Sequence, residues 1–299
     1  QHTGFEVPTE PEETASPVAE PIEVKPPEPN LPPPKPPEPL TNTTPEPDVV
    51  FQDICAEILS RFVDEKGRVD YEALKRRGYL LRELLGEFAE LKPEKYNRWP
   101  EEDKIAFWID VYNIHMLDII AKNYPIVSIR VMRLFWHPNS IRHIKGIRDE
   151  YKIIVMDAEF TLKEIEQRFF AGKFNDPRVF AALCQASLSG PALQRKPYYG
   201  DNLDRRLDEQ VEKFLSRDDV LRIDKTENIV YLSAIFEPTW YGKYFIGKYG
   251  IDRKFKDKQP ATRAVLNFIT NYISERNKTY LEVENYSIKH ITYDWRLNE

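Results

Sequence analysis

Apolar residues recur along most of the chain with helical spacing, and the few breaks in that rhythm divide it into elements. Val50, Ile54, Ile58, Leu59 and Phe62 predict a helix from Val49 to Phe62, ended by Asp64-Glu-Lys-Gly67. VDYEAL opens a second helical stretch running to about Leu91, in which Gly78 and Gly86 allow a break. Pro93 and Pro100 bracket an expected loop. The strongest signal is Glu101 to Lys122. There three acids suit the helix N-terminus, and Ile105, Trp108, Ile109, Tyr112, Leu117, Ile119 and Ile120 form a broad apolar stripe. Ser128 to Trp136 also reads as helix. Tyr151–Met156 reads as a strand leading into the helix TLKEIEQRFF, with Thr161 and Glu164 as a capping box. Asn202–Ser216 is a charged amphipathic helix, VLRID and NIVYLS a hairpin, Pro260–Glu275 a helix, and SIKHITYDW an alternating terminal strand. These elements predict an α+β fold: a mainly helical single domain with a small antiparallel sheet from about residues 151–156, 221–233 and 287–293.

One stretch departs from the rest. DPRVFAALCQASLSGPALQRKPYYG, residues 176–200, opens on turn punctuation, Asp176-Pro177, and carries an apolar run from Val179 to Leu183. That run is too short to assign to helix or strand by period alone. It takes Cys184, Gln185, Ser187 and Ser189 inside with it, and buried polar groups need partners. Asn113 sits within the apolar stripe of residues 101–122, where its amide must be satisfied. We expect it to be buried and to clamp the backbone of a neighbouring loop within 185–191. His115, a lone imidazole on the same helix, reads as structural.

Composition adds a division the periodicity does not give. Fifteen of the 24 prolines fall in residues 1–48, with Phe5 the one aromatic there. Such a segment cannot bury enough apolar surface to offset its ordering entropy, so it reads as an extended tether ahead of a globular domain at 49–299. The segment holds ten acids against Lys25 and Lys35, a net −8 against −6 for the whole chain. The globular part is therefore about +2, with no basic excess to call for nucleic acid. Cys55 and Cys184 are too few for a disulfide framework or a thiolate zinc site, leaving either one bridge or two free thiols. His137 and His143 lack further ligands, so no metal and no cofactor is expected. No apolar run is long enough for a membrane span. The chain opens at Gln1 rather than Met, which we read as removal of a signal peptide. Together with the Pro-rich tether, this points to the cell envelope (periplasm or cell surface) or to secretion, and to docking on another protein or larger complex through residues 1–48.

Several blocks, in order, resemble the domain of unknown function family 547. They are GRVDYEAL, IAFWIDVYN followed by NYPIVSIR, FTLKEIE, DPRVFAALCQASLSGPAL, the FLSRDD region, IVYLSAIFEPTWYGKYF and ITYDWRLN. The resemblance spans nearly all of residues 50–299 and implies a domain without a settled reaction. In the family pattern a His and two Cys stand where this chain has Phe180, Gln185 and Gly190. That His and the first Cys are the one nucleophile–base pair the pattern offers, and neither replacement can serve. Asn113, Ser187, Ser189 and Asp294 remain, as expected if they hold the fold.

Three functions follow from this reading. The first is a non-catalytic scaffold or accessory subunit carried on the Pro-rich arm. The second is a thiol-dependent hydrolase or acyl transferase using Cys184 with His290 and Asp294, which lie four apart and so on one face of a strand. The third is a small-molecule or glycan binder using the aromatic segment 236–249. Contact between Cys184 and His290 separates the first from the second.

Overall fold

The helix predicted from residues 101–122 is the centre of the molecule. In the computed structural model, which describes residues 49–127, 137–250 and 254–299, it runs from Glu101 to Asn123 (α5). The expected tether at 1–48 and the expected helix at 128–136 lie outside the described residues. Three acids open α5 and Lys122 closes it, both favourable to the helix dipole. The stripe reading understates its burial: every residue from Ile105 to Ala121 is buried, including Asp110, Asn113, His115 and Asp118. The helices Tyr71–Arg76 (α2) and Tyr79–Glu90 (α3), and a tight turn at Gly200–Asn202, pack directly against it. Each large apolar side chain enclosed this way contributes about 1.5–3 kcal/mol.

The first helix is Val49–Phe62 (α1), as predicted, and Gly78 marks the break between α2 and α3. Asp70 caps α2 by accepting from the Ala73 amide. The expected loop between Pro93 and Pro100 instead holds a short helix, Pro93–Asn97 (α4), because Pro93 at its first turn fixes a helical φ and has no amide to leave unpaired.

Beyond α5, Ile153–Val155 (β1) pairs antiparallel with Ala158–Phe160 (β2). The two make a separate hairpin packed on α3, outside the sheet in which the sequence reading placed residues 151–156. The capping box at Thr161 and Glu164 is formed and opens Leu162–Ile165 (α6). The helix then widens to π geometry over Glu166–Lys173. Leu203–Leu215 (α7) follows the central stretch. Leu221–Asp224 (β3) and Ile229–Ser233 (β4) form the expected antiparallel hairpin, whose turn is held by Asp224 Oδ1 accepting from the Thr226 and Glu227 amides.

The chain next passes through Ile246–Tyr249 (α8), Pro260–Ile269 (α9) and Glu275–Val283 (α10). The single helix expected over 260–275 is therefore two, with Ser274 capping the second. The terminal strand Ser287–Ile291 (β5) adds parallel to β4. A strand returning after three helices, rather than through a tight turn, can enter in that direction. The α+β class and the predominance of helix are as expected, and the three-stranded sheet is mixed. No helix among the described residues is long and apolar enough to cross a membrane.

Candidate functional site

The central stretch lies inside, as its composition requires, and it lacks regular secondary structure beyond a tight turn at Pro177–Ala181. Asp176 begins that turn by accepting from the Arg178 amide. The Arg178 guanidinium then ties the stretch to α7, meeting Asp176 at 2.7 Å, Asp204 at 2.7 Å and Asp208 at 2.9 Å. Past the turn, buried peptide groups have no ladder to join, and side-chain amides take its place. Gln210 Nε2 donates to the Ala181 carbonyl at 3.0 Å. Asn113 Nδ2 donates to the Ala182 carbonyl at 3.1 Å, and Asn113 Oδ1 accepts from the Cys184 amide at 2.7 Å. The expected clamp is present, on residues 182 and 184 rather than within 185–191.

The next residues reach outward to the rest of the fold. Gln185 Nε2 donates to the Tyr241 hydroxyl at 2.8 Å. Ala186 takes a left-handed φ of 48°, which turns the chain sharply. Ser187 Oγ meets the Tyr293 hydroxyl at 2.8 Å. Ser189 Oγ accepts from the Asp294 amide at 3.0 Å, while the Leu188 and Ser189 amides donate to the carbonyls of Arg296 and Asp294. Gly190 permits this tight path, since a Cβ there would stand 2.9 Å from that of Gln185. Gln185, Ser187 and Ser189 are all buried.

Behind Gln185 is a polar cluster that the sequence reading missed. Glu166 is 1% exposed and accepts from the hydroxyls of Tyr112 at 2.7 Å and Tyr241 at 2.8 Å, and its other oxygen pairs with Arg148. Tyr241 thus joins Glu166 to Gln185. Phe180 stacks on the same tyrosine, ring centroids 4.4 Å apart. Burial and the neighbouring Glu166 push both phenols, Tyr112 and Tyr241, well above their usual pKa, so they stay protonated as donors. The cluster is fully donated to and offers no activated nucleophile. One signal for it was available: TLKEIEQRFF places Glu166 beside Ile165, on the face where an apolar residue was due.

The thiol candidates do not assemble. Cys184 is 1% exposed, and burial pushes its pKa up to about 11, offset only in part by a bond involving the Ala186 backbone. Cys55 is also buried, and both thiols are free. His290 stands exposed on β5 opposite Leu232. Asp294 pairs with Arg296, which draws its carboxyl below the usual range. No hydrogen bond joins Cys184, His290 and Asp294 to one another among the described residues. Their spacing of four does not put His290 and Asp294 on one strand face, because β5 ends at Ile291.

His115 is buried with its pKa lowered to about 3 by burial and by Lys122, so it is neutral. Asp110 accepts the Tyr198 amide with both oxygens at 3.1 Å, and burial raises its carboxyl to about 8. Among the described residues no group of three His, Cys, Asp or Glu is placed to hold a metal ion. Of the aromatic segment 236–249, Phe236, Tyr241 and Phe245 are buried. Trp240 is partly buried and stacked on Trp295, centroids 5.0 Å apart.

No curated protein and no solved structure matches the chain. Residues 96–215, which hold α5, Arg148 and Glu166, the central stretch and α7 but not Tyr241, match the model of the family described as "Protein of unknown function, DUF547", and over them the resemblance read from the sequence is supported.

Proposed function

We propose that this domain is a non-catalytic scaffold or accessory subunit, presented on its Pro-rich N-terminal segment in the cell envelope or outside the cell. One observation carries the reading: Phe180 and Gln185, standing where the family resemblance puts a His and a Cys, are both committed to Tyr241, by stacking and by a hydrogen bond. A side chain already held by a buried structural hydroxyl is not poised to attack or to take a proton. Enclosure of the neighbouring Cys184, with no hydrogen bond to the exposed His290 among the described residues, supports the same conclusion.

The test is alkylation of the native chain near neutral pH with a small thiol reagent, followed by mass spectrometry. Cys184 should label only as fast as the domain opens, and His290→Ala should leave that rate unchanged. Rapid labelling that collapses in His290→Ala would replace this reading with a thiol enzyme.

A further inference from the structure

The C-terminal half of the central stretch faces solvent across a cleft of about 410 Å³, a size suited to a small ligand. Three segments build it, and Asn298 completes the lining. The first is the turn after α1, where Asp64 Oδ1 accepts from the Lys66 and Arg68 amides at 2.8 Å each. Gly67 at its tip has a φ of 78° and packs so closely that a Cβ would stand 2.7 Å from the Leu193 amide nitrogen. The second is residues 187–192. The third is the C-terminal end of α7, from which Arg217 donates to the carbonyls of Gly190 at 2.6 Å and Leu188 at 2.9 Å. The segments are thus fixed to one another by close packing at Gly67 and by the Arg217 side chain.

The charge of this cleft is one-sided. Lys66 and Arg68 stand on one wall and Lys213 and Arg217 on the other, and no carboxylate side chain is among the lining residues. Three acidic residues are engaged nearby. Asp219 pairs with Arg217 at 2.6 Å, Asp64 is spent on the turn amides, and the Glu299 carboxylate accepts from Asn139 while its main-chain oxygen accepts from Arg68. The ammonium groups of Lys66 and Lys213 have no hydrogen bond or ion pair among the described residues, although both side chains are exposed on a surface with acids to spare. Two unpaired cations from separate segments, each beside an arginine, leave a positive field concentrated in a concave, partly apolar space also lined by Leu188, Pro191 and Phe214.

We propose that this cleft binds a small molecule carrying two oxyanion groups, one met by Lys66 and Arg68 and the other by Lys213 and Arg217. Phosphate and carboxylate share the chemistry required: oxygen acceptors and negative charge for charge-assisted hydrogen bonds. A ligand with one such group engages one wall and leaves the lysine of the other without a counter-charge. The proposal is independent of whether the domain is catalytic, since no residue of the Cys184 or Glu166 surroundings takes part.

Isothermal titration calorimetry on the full chain at low ionic strength tests it, with pyrophosphate (two phosphoryl groups) and citrate (three carboxylates) as probes with more than one oxyanion group and orthophosphate and acetate as single ones. Pyrophosphate, citrate or both should bind at least about tenfold tighter than their single counterparts, and Lys66→Glu and Lys213→Glu should each weaken binding by about tenfold or more. Lys289→Glu, on exposed β5 away from the cleft, should bind as the parent does. Response to pyrophosphate alone identifies a phosphate-bearing ligand, response to citrate alone a carboxylate, and response to both supports the shared chemistry. Circular dichroism checks each variant's fold, and Lys66→Gln with Lys213→Gln replaces any that fails. The proposal is overturned by absence of binding at millimolar probe, by equal loss in Lys289→Glu, or by binding of a heparin fragment with none of the small probes.

Discussion

Asn113 is the position where a single atom exchange has the clearest consequence. Its amide holds two peptide groups of the central stretch, donating to the Ala182 carbonyl and accepting from the Cys184 amide. Asn113 is 3% exposed and Cys184 1%, so water cannot take over either bond. Asn113→Ala strands both peptide groups at about 1–3 kcal/mol each, an expected loss of about 2–6 kcal/mol. That is comparable with the whole stability of many domains, about 5–15 kcal/mol.

Asn113→Asp separates the two bonds. The new carboxylate still accepts from Cys184, but it faces the Ala182 carbonyl and is a buried charge with no partner cation. Protonation restores a donor toward Ala182. Its folded pKa is therefore raised above the unfolded value, the native state binds the extra proton, and stability is regained as pH falls. The assay is urea denaturation of parent, Asn113→Ala and Asn113→Asp at pH 7 and pH 5, followed by tryptophan fluorescence. The difference between parent and Asn113→Asp should narrow at pH 5, while that for Asn113→Ala should not. A loss in Asn113→Ala below about 0.5 kcal/mol, the range of an ordinary surface change, or no narrowing for Asn113→Asp, would refute the clamp.

Two further outcomes follow from the buried acids. Asp110, raised to about 8 in the folded state, binds its proton more tightly than the unfolded chain does. Its contribution to stability is full below about pH 4 and is lost as pH rises through about 8. Asp110→Asn keeps an acceptor for Tyr198 and should flatten the parent's decline between pH 5 and 8.5 in thermal melts; an unchanged slope contradicts the assignment. Glu166→Gln removes the anion opposite Arg148 and should cost about 3 kcal/mol, the low end for a broken buried pair because the Arg148 side chain is 27% exposed. Tyr112→Phe, losing one hydrogen bond, should cost about 1 kcal/mol in the same urea titration, and equal losses in the two variants would mean that the charge is unimportant.

What was legible in the sequence was whatever depended on local pattern. The helix at 101–123, the Thr161–Glu164 capping box and the β3–β4 hairpin all write their signals within a few residues. Asn113 was legible too, because an amide inside an apolar stripe leaves few roles open. The Glu166 cluster was not, because its members come from α5, the segment after Ile144, the π-widened turn and the loop before α8, and nothing local links them. Burial of Asp110 and Asp118 was missed for a related reason. A stripe predicts one covered face, and α5 is covered on all of them by elements from both before and after it in the sequence. The direction of β5 and the basic cleft depend likewise on where separate segments meet.

The last seven residues have a consequence for how the chain reaches this state. Asn298 accepts from the Val69 amide and, at 2.8 Å, from the Tyr71 hydroxyl, 227 positions earlier. Trp295 and Leu297 pair with the backbone at Ile141 and Asn139, while Asp294 and Arg296 accept from the central stretch. These contacts join the opening helices, the middle of the chain and its end. Loop-closure entropy must be met before such distant pairings are rewarded, which makes them late events in folding. During synthesis the domain would remain open until its last strand has left the ribosome, with α5's apolar surface awaiting cover. An emerging domain of this kind depends on protection from aggregation until residues 287–298 are free to pair.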